Sequence, residues 1–251
     1  MQCYRVAIIA IGSEILKGII QDTNSHWLAR SLTELGFEVT RIMVVPDDYE
    51  DIGWAVNAML GFSDIIITTG GLGFTKDDIT LDAIARALGL KLSLNQEAVD
   101  MIKRRVTGNI DPYLKAAFIP ENGKPLFNSV GISPGVYLEI HGKKIIVLPG
   151  VPSEMKTMFE EQVKPILLSM TKCYSTRITI ITDHQKEREV DNLIKEIRET
   201  HRDVYFKTHA TTPVKLTVVI HASSANELEE KLNNILGKLR TLIKIREIKI
   251  D

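Results

Sequence analysis

Short apolar runs alternate with amphipathic stretches through the first two thirds of the chain. The runs at 5–11, 38–45 and 64–69 are rich in β-branched and aliphatic residues, which is typical of strands that are covered on both faces. Two intervening stretches carry apolar residues at helical spacing: Leu28, Leu32 and Leu35 in one, and Ile52, Val56 and Met59 in the other. This alternation predicts an α/β domain with a mostly parallel sheet.

The pattern changes in the later part of this domain. Residues 91–117 are predicted to form an inserted helical segment that could cover a site on the sheet. The runs at 136–140 and 144–148 are joined by a His-Gly pair, which predicts a β-hairpin. A helix that opens at Ser153 is predicted to complete the first domain, which we assign to residues 1–170.

A second pattern begins near Arg177, with a strand, a helix, two strands, a long helix and a final short strand. It predicts a small α+β domain, which we assign to residues 177–251. The long helix has an apolar stripe of Leu228, Leu232, Ile235 and Leu239. Such a stripe serves either the core of its own domain or a contact between two copies of the chain, and we expect a homodimer.

Composition narrows the partners and the compartment. The 251 residues include 31 basic and 32 acidic side chains, and the net charge of -1 gives no electrostatic reason to expect a nucleic acid or a membrane as partner. Cys3 and Cys173 lie far apart in sequence and form neither a metal-ligand spacing nor a redox pair. They suit a reducing compartment, so the cytoplasm is the expected location. No apolar run approaches the length of a membrane span.

A glycine-rich loop with paired carboxylates is the strongest chemical signal in the chain. Gly70, Gly71 and Gly73 follow a buried strand, where their backbone can approach an anion closely, and the helix predicted to begin nearby adds its positive end. Asp77 and Asp78 would repel a phosphate unless a divalent cation lay between them. A plain strand-to-helix turn would also use glycines, but the two motifs together favour a phosphate site with a metal.

Further polar residues follow the other strands. Gly12, Ser13 and Glu14 come after the first strand, and Asp47 and Asp48 after the second. Because the carboxyl ends of parallel strands share one edge of a sheet, these residues are expected to lie near the glycine loop. Taken alone, the first group is equally typical of an ordinary turn. In the second group, Asp48 is expected to cap a helix and Asp47 to face the site.

Two corners rich in proline and glycine, at 128–135 and 148–155, are either ordinary loops or rigid loops that frame a pocket for a flat ring. The chain contains no Gly-x-x-x-x-Gly-Lys-Ser/Thr loop, no Gly-x-Gly-x-x-Gly motif after the first strand and no Gly-x-Ser-x-Gly elbow. The common nucleotide-binding and hydrolase classes therefore do not fit.

These motifs together resemble the molybdopterin-binding-like domain of the CinA (competence/damage-inducible) proteins. The matching segments, in family order, are Gly12–Leu16, Asp22–Asn24, the run 68–80, Asn128–Gly135 and Pro149–Met155. The chain from about 177 resembles the small KH-type domain that follows in those proteins. Typical bacterial members carry a further nicotinamide-nucleotide deamidase domain that this chain lacks, so no deamidase activity is expected.

Three positions depart from the family pattern. Phe74 stands where proline is usual, Ser133 where alanine is frequent and Ser13 where aspartate is frequent, which removes a metal carboxylate. The KH-like part also lacks the Gly-x-x-Gly loop with which KH modules grip RNA, since Gly237 is the one glycine after Arg177. We therefore expect no nucleic-acid binding.

The resemblance implies a metal-dependent pyrophosphatase of the non-Nudix type that hydrolyses small ADP-ribose-like nucleotides, with Co²⁺ or Mg²⁺ and with K⁺ as a further ion. The same domain is related to the Mog-type enzymes that adenylylate molybdopterin. A molybdopterin-binding or adenylylating protein of molybdenum cofactor biosynthesis is therefore the alternative, and a non-catalytic nucleotide-binding module is the third hypothesis.

The hydrolase hypothesis assigns a role to each of these residues, and the transferase alternative is built on the same glycine loop. The expected metal ligands are Asp78, Asp77, Glu14 and Asp47. The expected catalytic residues are Asp78, Asp77, Glu14 and Lys76, with the lysine stabilising the leaving phosphate. The residues expected to bind the substrate and its phosphates are Gly12, Ser13, Gly70, Gly71, Gly73, Thr75, Ser133, Gly135, Pro149 and Gly150.

Overall fold

The computed structural model describes residues 3–171 and 173–250 and divides the chain into two compact units. The first unit is formed by Tyr4–Ser31 and Glu38–Met170. The second contains residue 3, Leu32–Phe37 and the chain from Thr171 onward. The first unit holds a mostly parallel sheet and the second a small antiparallel sheet, which confirms the predicted α/β fold class.

The first unit is built around a six-stranded sheet. In chain order the strands of this unit are β1 (Arg5–Ile11), β2 (Glu38–Val45), β3 (Ile65–Thr69), β4 (Leu92–Leu94), β5 (Phe118–Pro120), β6 (Lys124–Leu126), β7 (Gly135–Ile140) and β8 (Lys143–Leu148). The sheet order is β2-β1-β3-β8-β7-β6, while β4 and β5 pair separately. The first four strands of that order are parallel, and β7 runs antiparallel to both of its neighbours. Every residue of β3 is buried, as its apolar run predicted.

Helices connect the strands. They are α1 (Ser13–Leu16), α2 (Asn24–Glu34), α3 (Tyr49–Leu60), α4 (Thr80–Ala87), α5 (Gln96–Lys103), α6 (Pro152–Met158) and α7 (Lys164–Met170), with a π-helical turn at Phe159–Val163. The predicted stripe of α3 is buried, and Asp48 caps this helix by accepting hydrogen bonds from the amides of Glu50 and Asp51. None of the helices in the described residues is both long and apolar enough to cross a bilayer.

The inserted segment is less helical than its sequence predicted. It contains β4, α5 and a 3-10 helix at Asp111–Ala117 that leads directly into β5. Pro112 lies in the first turn of the 3-10 helix, where a backbone N–H is not needed for a hydrogen bond within the helix. Pro112 therefore belongs to the start of this helix. The two short strands pair with each other and were not predicted, because three-residue strands carry too little periodicity to be recognised.

The second unit follows the predicted order of elements, with one difference. Its elements are β9 (Tyr174–Thr182), α8 (Glu187–Leu193), α9 (Lys195–Thr200), β10 (Val204–His209), β11 (Lys215–Ala222), α10 (Ala225–Leu242) and β12 (Ile245–Ile250). The antiparallel sheet has the order β10-β11-β9-β12. The helix predicted at 188–200 is divided into α8 and α9, which meet at Ile194.

The apolar stripe of α10 belongs to the core of its own unit. Ile235 and Leu239 are fully buried there, and Leu228 and Leu232 pack against the same cluster. Since these side chains already face β-sheet residues of the second unit, the stripe is not available as the contact between two copies of the chain. The stripe therefore does not supply the contact surface that was expected for a homodimer.

The two cysteines form a disulfide, contrary to the expectation that they do not pair. Cys3 and Cys173 have their Cα atoms 5.7 Å apart although 170 positions separate them in sequence. Gly36 contributes to this arrangement, because a Cβ atom at that position would lie 2.2 Å from the carbonyl oxygen of Cys173. Spacing along the chain could not reveal the pair, since folding brings distant segments together.

Replacement of Cys3 by serine should lower the free energy of unfolding by about 2–4 kcal/mol, because the cross-link restricts the unfolded chain over a long loop. Urea denaturation followed by circular dichroism, with and without dithiothreitol, measures the change. The reductant should shift the midpoint of the wild type and leave that of Cys3→Ser unchanged. A wild-type midpoint that is insensitive to reductant would contradict the disulfide.

Candidate functional site

A cleft of about 1170 Å³ lies at the carboxyl edge of the six-stranded sheet. It is lined by the loops that follow β1, β2, β3 and β8, four strands that are parallel neighbours. The loop between β6 and β7 forms a further wall, through residues 130–133. The predicted convergence of these loops is therefore observed, at the place where open α/β sheets bind ligands.

The glycine loop is held in a conformation that requires glycine. Gly70 has a φ of +113°, and a Cβ atom there would lie 2.0 Å from the carbonyl oxygen of Ile11. Gly71 has a φ of +65°, and a Cβ atom there would lie 2.2 Å from the hydroxyl oxygen of Thr80. That hydroxyl donates to the carbonyl oxygen of Gly70 at 2.9 Å. Thr80, the first residue of α4, therefore packs directly against the glycine backbone of the loop.

This conformation leaves a run of backbone donors unused. The amides of Gly71, Leu72 and Gly73 make no hydrogen bond to any other described residue, and all three residues line the cleft. The preceding amide, that of Gly70, is already paired with the carbonyl oxygen of Leu148 at 3.1 Å. Successive free N–H groups beside the first turn of a helix form a concave site that suits a phosphate.

The two aspartates of the loop have different surroundings. Asp78 accepts hydrogen bonds through Oδ2 from the backbone amide of Thr75, at 2.8 Å, and from its hydroxyl, at 2.6 Å. This carboxylate therefore holds the loop in shape as well as facing the cleft. Asp77 also lines the cleft, but its carboxylate has no hydrogen bond or ion pair within the described part of the chain. It is the more available of the two.

The loops after β1 and β2 are joined by a reciprocal pair of hydrogen bonds. The amide of Ser13 donates to Oδ2 of Asp47 at 2.8 Å, and the amide of Asp47 donates to the hydroxyl oxygen of Ser13 at 3.2 Å. An aspartate at position 13 would place a second carboxylate beside Asp47, so the serine suits this pairing. The Glu14 carboxylate lies against Gly12 and has no hydrogen-bond partner among the described residues.

The acidic side chains share the cleft without forming a ready-made metal site. Glu14, Asp47, Asp77 and Asp78 all line it, yet no three His, Cys, Asp or Glu side chains in residues 3–171 and 173–250 are close enough together to hold an ion. This donor set fits a hard cation that takes one or two carboxylates and completes its shell with phosphate oxygens of a ligand and with water. A site formed by protein ligands alone would need more of these groups to converge.

Asn24 is a structural residue of the cleft that was not among the predicted site residues. It is buried at the start of α2 and donates through Nδ2 to the hydroxyl of Thr69, at 2.9 Å, and to the carbonyl oxygen of Gly150, at 2.8 Å. The Thr69 hydroxyl donates in turn to Pro149. One side chain thereby ties α2 to the ends of β3 and β8. The Asp-Thr-Asn motif was the only signal for it.

The wall formed by the loop between β6 and β7 is also fixed by a buried asparagine. Asn128 accepts from the amides of Val130 and Gly131 and donates to the carbonyl oxygen of Ser133 and to Glu154. Every polar atom of this side chain is therefore used, which defines the loop rigidly. Of the predicted residues on this side, Ser133, Pro149 and Gly150 line the cleft.

Four predicted residues do not line the cleft, namely Gly12, Thr75, Lys76 and Gly135. Lys76 is exposed beside Asp77, and Thr75 uses its hydroxyl to bind Asp78. Gly135 lies in β7, where a Cβ atom would be 2.5 Å from the sulfur of Met158 and 2.8 Å from the carbonyl oxygen of Val147. Its small size therefore serves packing.

Comparisons with known proteins agree with this architecture. Residues 7–169 match the model of a family described as a probable molybdopterin binding domain. A protein of Aeropyrum pernix is 38% identical over 247 residues, which covers 94% of this chain and 92% of that protein. A protein of Pyrobaculum aerophilum is 36% identical, covering 95% of this chain and 94% of that one. The crystal structure of the protein CinA, of unknown function, from Thermoplasma acidophilum is 38% identical, with a TM-score of 0.62, and covers 65% of this chain and 98% of that chain.

Gly71→Ala should destabilise the protein by about 1–3 kcal/mol more than Gly89→Ala, because alanine at 71 would collide with Thr80. The two glycines form a matched pair: Gly89 has a φ of +66°, close to that of Gly71, but has open space around its missing side chain. Both variants share the cost of a positive φ. Free energies of unfolding from denaturant titrations measure the difference, and equal losses would show that the contact with Thr80 does not constrain the loop.

Proposed function

We propose a function for this chain from its membership of a family: the chain belongs to the family of the probable molybdopterin binding domain and is a CinA-like protein. The proposed activity is the metal-dependent hydrolysis of ADP-ribose-like nucleoside diphosphates. The observation that carries the proposal is the row of amides at Gly71, Leu72 and Gly73, which are unused within residues 3–171 and 173–250. These residues line one cleft together with Asp77 and Glu14, whose carboxylates have no partner in the same described ranges.

The loop residues are assigned to bind the pyrophosphate. Three free N–H groups can donate to phosphate oxygens without moving, since Gly70 and Gly71 are already held by their contacts with Ile11 and Thr80. The hydrogen bonds from Thr75 to Asp78 keep the far end of the loop in place. Such preorganised donors lower the cost of charge that develops on the phosphate during reaction.

The acidic residues are assigned to hold a divalent cation together with the phosphates. Among the residues that the structure describes, Asp77 and Glu14 are the proposed ligands whose carboxylates have no partner, and Asp78 and Asp47 each keep one carboxylate oxygen without a hydrogen bond. When bound, the metal would polarise the phosphate and increase the acidity of a water molecule. Asp77 is assigned to orient that water, because it lines the cleft and no described side chain or amide bonds to its carboxylate.

The reaction is a single substitution at phosphorus, in which one P–O bond forms and another breaks. A water oxygen attacks one phosphorus atom, the bridging P–O bond breaks, and the products from ADP-ribose are AMP and ribose 5-phosphate, with the water protons shared between product and solvent. Lys76 is the proposed cation for the leaving phosphate. This residue is exposed next to Asp77, and its ammonium group lies at the end of a flexible four-carbon chain. Lys76→Ala tests the proposed role.

The alternative is a molybdopterin-binding or adenylylating protein. The description of the matching family favours it, and the same cleft, glycine loop and carboxylates would serve a pterin phosphate. The two hypotheses differ in the direction of phosphate chemistry: one cleaves a pyrophosphate, and the other forms one from ATP and a pterin phosphate.

Incubation of the pure protein with ADP-ribose and Co²⁺ or Mg²⁺, followed by chromatography for AMP, tests the proposed function. We expect AMP to form with the metal, to disappear with excess chelator and to return when the metal is restored. Full activity in chelator would contradict the role of the carboxylates. If ADP-ribose is never cleaved while molybdopterin is adenylylated from ATP, the alternative is correct.

Asp77→Ala should reduce the turnover of ADP-ribose at least about a hundredfold and leave the free energy of unfolding unchanged, since the side chain has no partner in the described structure. Asp51→Ala is the matched control, because it removes an exposed carboxylate on α3 outside the cleft. Asp78→Ala should also lose turnover but destabilise the loop, because Thr75 would lose its acceptor. Wild-type turnover of Asp77→Ala in saturating metal would show that the site is assigned wrongly.

A further inference from the structure

Residues 96–117, the part of the inserted segment that follows β4, pack against two of the loops that wall the cleft. Its small apolar cluster contains Ala98, Val99, Ile102, Ala116 and Ala117. Two partly buried side chains from outside the segment complete that cluster: Phe74 from the glycine loop and Ile132 from the loop between β6 and β7. Both also line the cleft. A single cluster therefore contacts two loops that belong to different strands.

Two cationic side chains of the segment bond to the same two loops. Lys115, in the 3-10 helix, donates through Nζ to the carbonyl oxygen of Thr75. Arg105, just after α5, donates through Nε to the carbonyl oxygen of Gly131 at 2.9 Å and through an Nη to that of Val130 at 2.6 Å. Charged donors make hydrogen bonds about twice as strong as neutral ones, and the planar guanidinium fixes two successive carbonyls at once.

Phe74 adds an aromatic contact to the first of these. Its ring meets the ring of Tyr113 edge to face, with the centroids 4.8 Å apart. The glycine loop is therefore joined to the segment by an aromatic contact and by the bond from Lys115, two residues further along the 3-10 helix.

The loops themselves start from strands that are not neighbours. The glycine loop follows β3, the other loop joins β6 to β7, and β8 lies between β3 and β7 in the sheet. Sheet hydrogen bonds therefore do not join the two loops directly. The segment links them, because Arg105 bonds to one loop and Lys115 to the other.

We propose that residues 96–117 set the width of the cleft, and that Arg105 and Lys115 are positioning residues that make the cleft select ligands long enough to contact both walls. Neither side chain is assigned a contact with the reacting atoms. The affinity of a ligand that touches only the glycine loop should not depend on the distance between the two loops. A ligand with groups on both sides of its phosphates would bind well only when the gap is held at the right width.

Amide hydrogen exchange in the free protein tests the coupling without any ligand. The amide of Gly131 is bonded to Asn128, and that of Thr75 to Asp78, so each reports the opening of one wall. Arg105→Ala should speed exchange at Thr75 as well as at Gly131, and Lys115→Ala should speed exchange at Gly131 as well as at Thr75, each by at least about threefold. The proposal is wrong if each variant loosens only the wall it touches.

Arg104→Ala is the matched control for both measurements. Arg104 is an exposed arginine next to Arg105, and its side chain has no hydrogen bond or ion pair within the described part of the chain. It should change neither exchange nor binding. Arg105→Lys keeps the charge but loses the paired geometry, so it should restore part of what alanine loses. This conservative variant also keeps the test meaningful if Arg105→Ala is poorly folded.

Calorimetric titration tests the selection of ligands, and this part depends on the proposed function for its choice of probe. Arg105→Ala should weaken the binding of the uncleavable α,β-methylene analogue of ADP-ribose about three- to tenfold and leave that of inorganic pyrophosphate unchanged, with Mg²⁺ present in both. Equal weakening of both ligands would overturn the selection by length. If the wild type does not bind the analogue, the proposed function fails, whereas the exchange measurement still decides whether the segment couples the walls.

Discussion

The close approach of Gly70 to two neighbouring strands is the contact on which the cleft depends. Its amide bonds to Leu148 at the end of β8, and its α-carbon faces the carbonyl oxygen of Ile11 at the end of β1. No side chain fits there, and the φ of +113° is one that only glycine adopts readily. The chain can therefore turn sharply out of the sheet, and the next three amides, which belong to residues that line the cleft, make no hydrogen bond to another described residue.

The polar groups around the cleft fall into two sets: those that are hydrogen-bonded within the protein and those that have no partner among the described residues. Asn24 and Asn128 use their side chains to fasten the loops, and Ser13 and Asp47 bond to each other. Asp77 and Glu14 remain without partners among the described residues, as do the amides of the glycine loop. Polar groups that are buried and bonded hold a shape, whereas those left open at a cleft can bind something else. This contrast separates the scaffold of the site from its proposed chemistry.

The differences from the sequence-based expectations have physical causes. The disulfide joins residues that are 170 positions apart, and no local pattern reports such a pairing. It also does not decide the compartment, because disulfides occur inside the cells of hyperthermophiles as well as outside cells. Arg105 and Lys115 were missed for a similar reason: each is one exposed cation among many, and its importance lies in the carbonyl oxygens that folding places beside it.

The sequence by itself determined the parallel strands, the helices between them, the hairpin at His141 and Gly142, and the glycine loop, because each depends on periodicity or on backbone freedom within a few residues. It also predicted that the loops after β1, β2 and β3 share one edge, which follows from parallel topology alone. Tertiary structure decided which side chains are already engaged, such as Asp78 by Thr75, and which are free, such as Asp77. It also decided that the inserted segment bonds to both walls of the cleft and that the stripe of α10 faces its own core. These facts depend on distances between residues that are far apart in the chain, and local propensity carries no information about them.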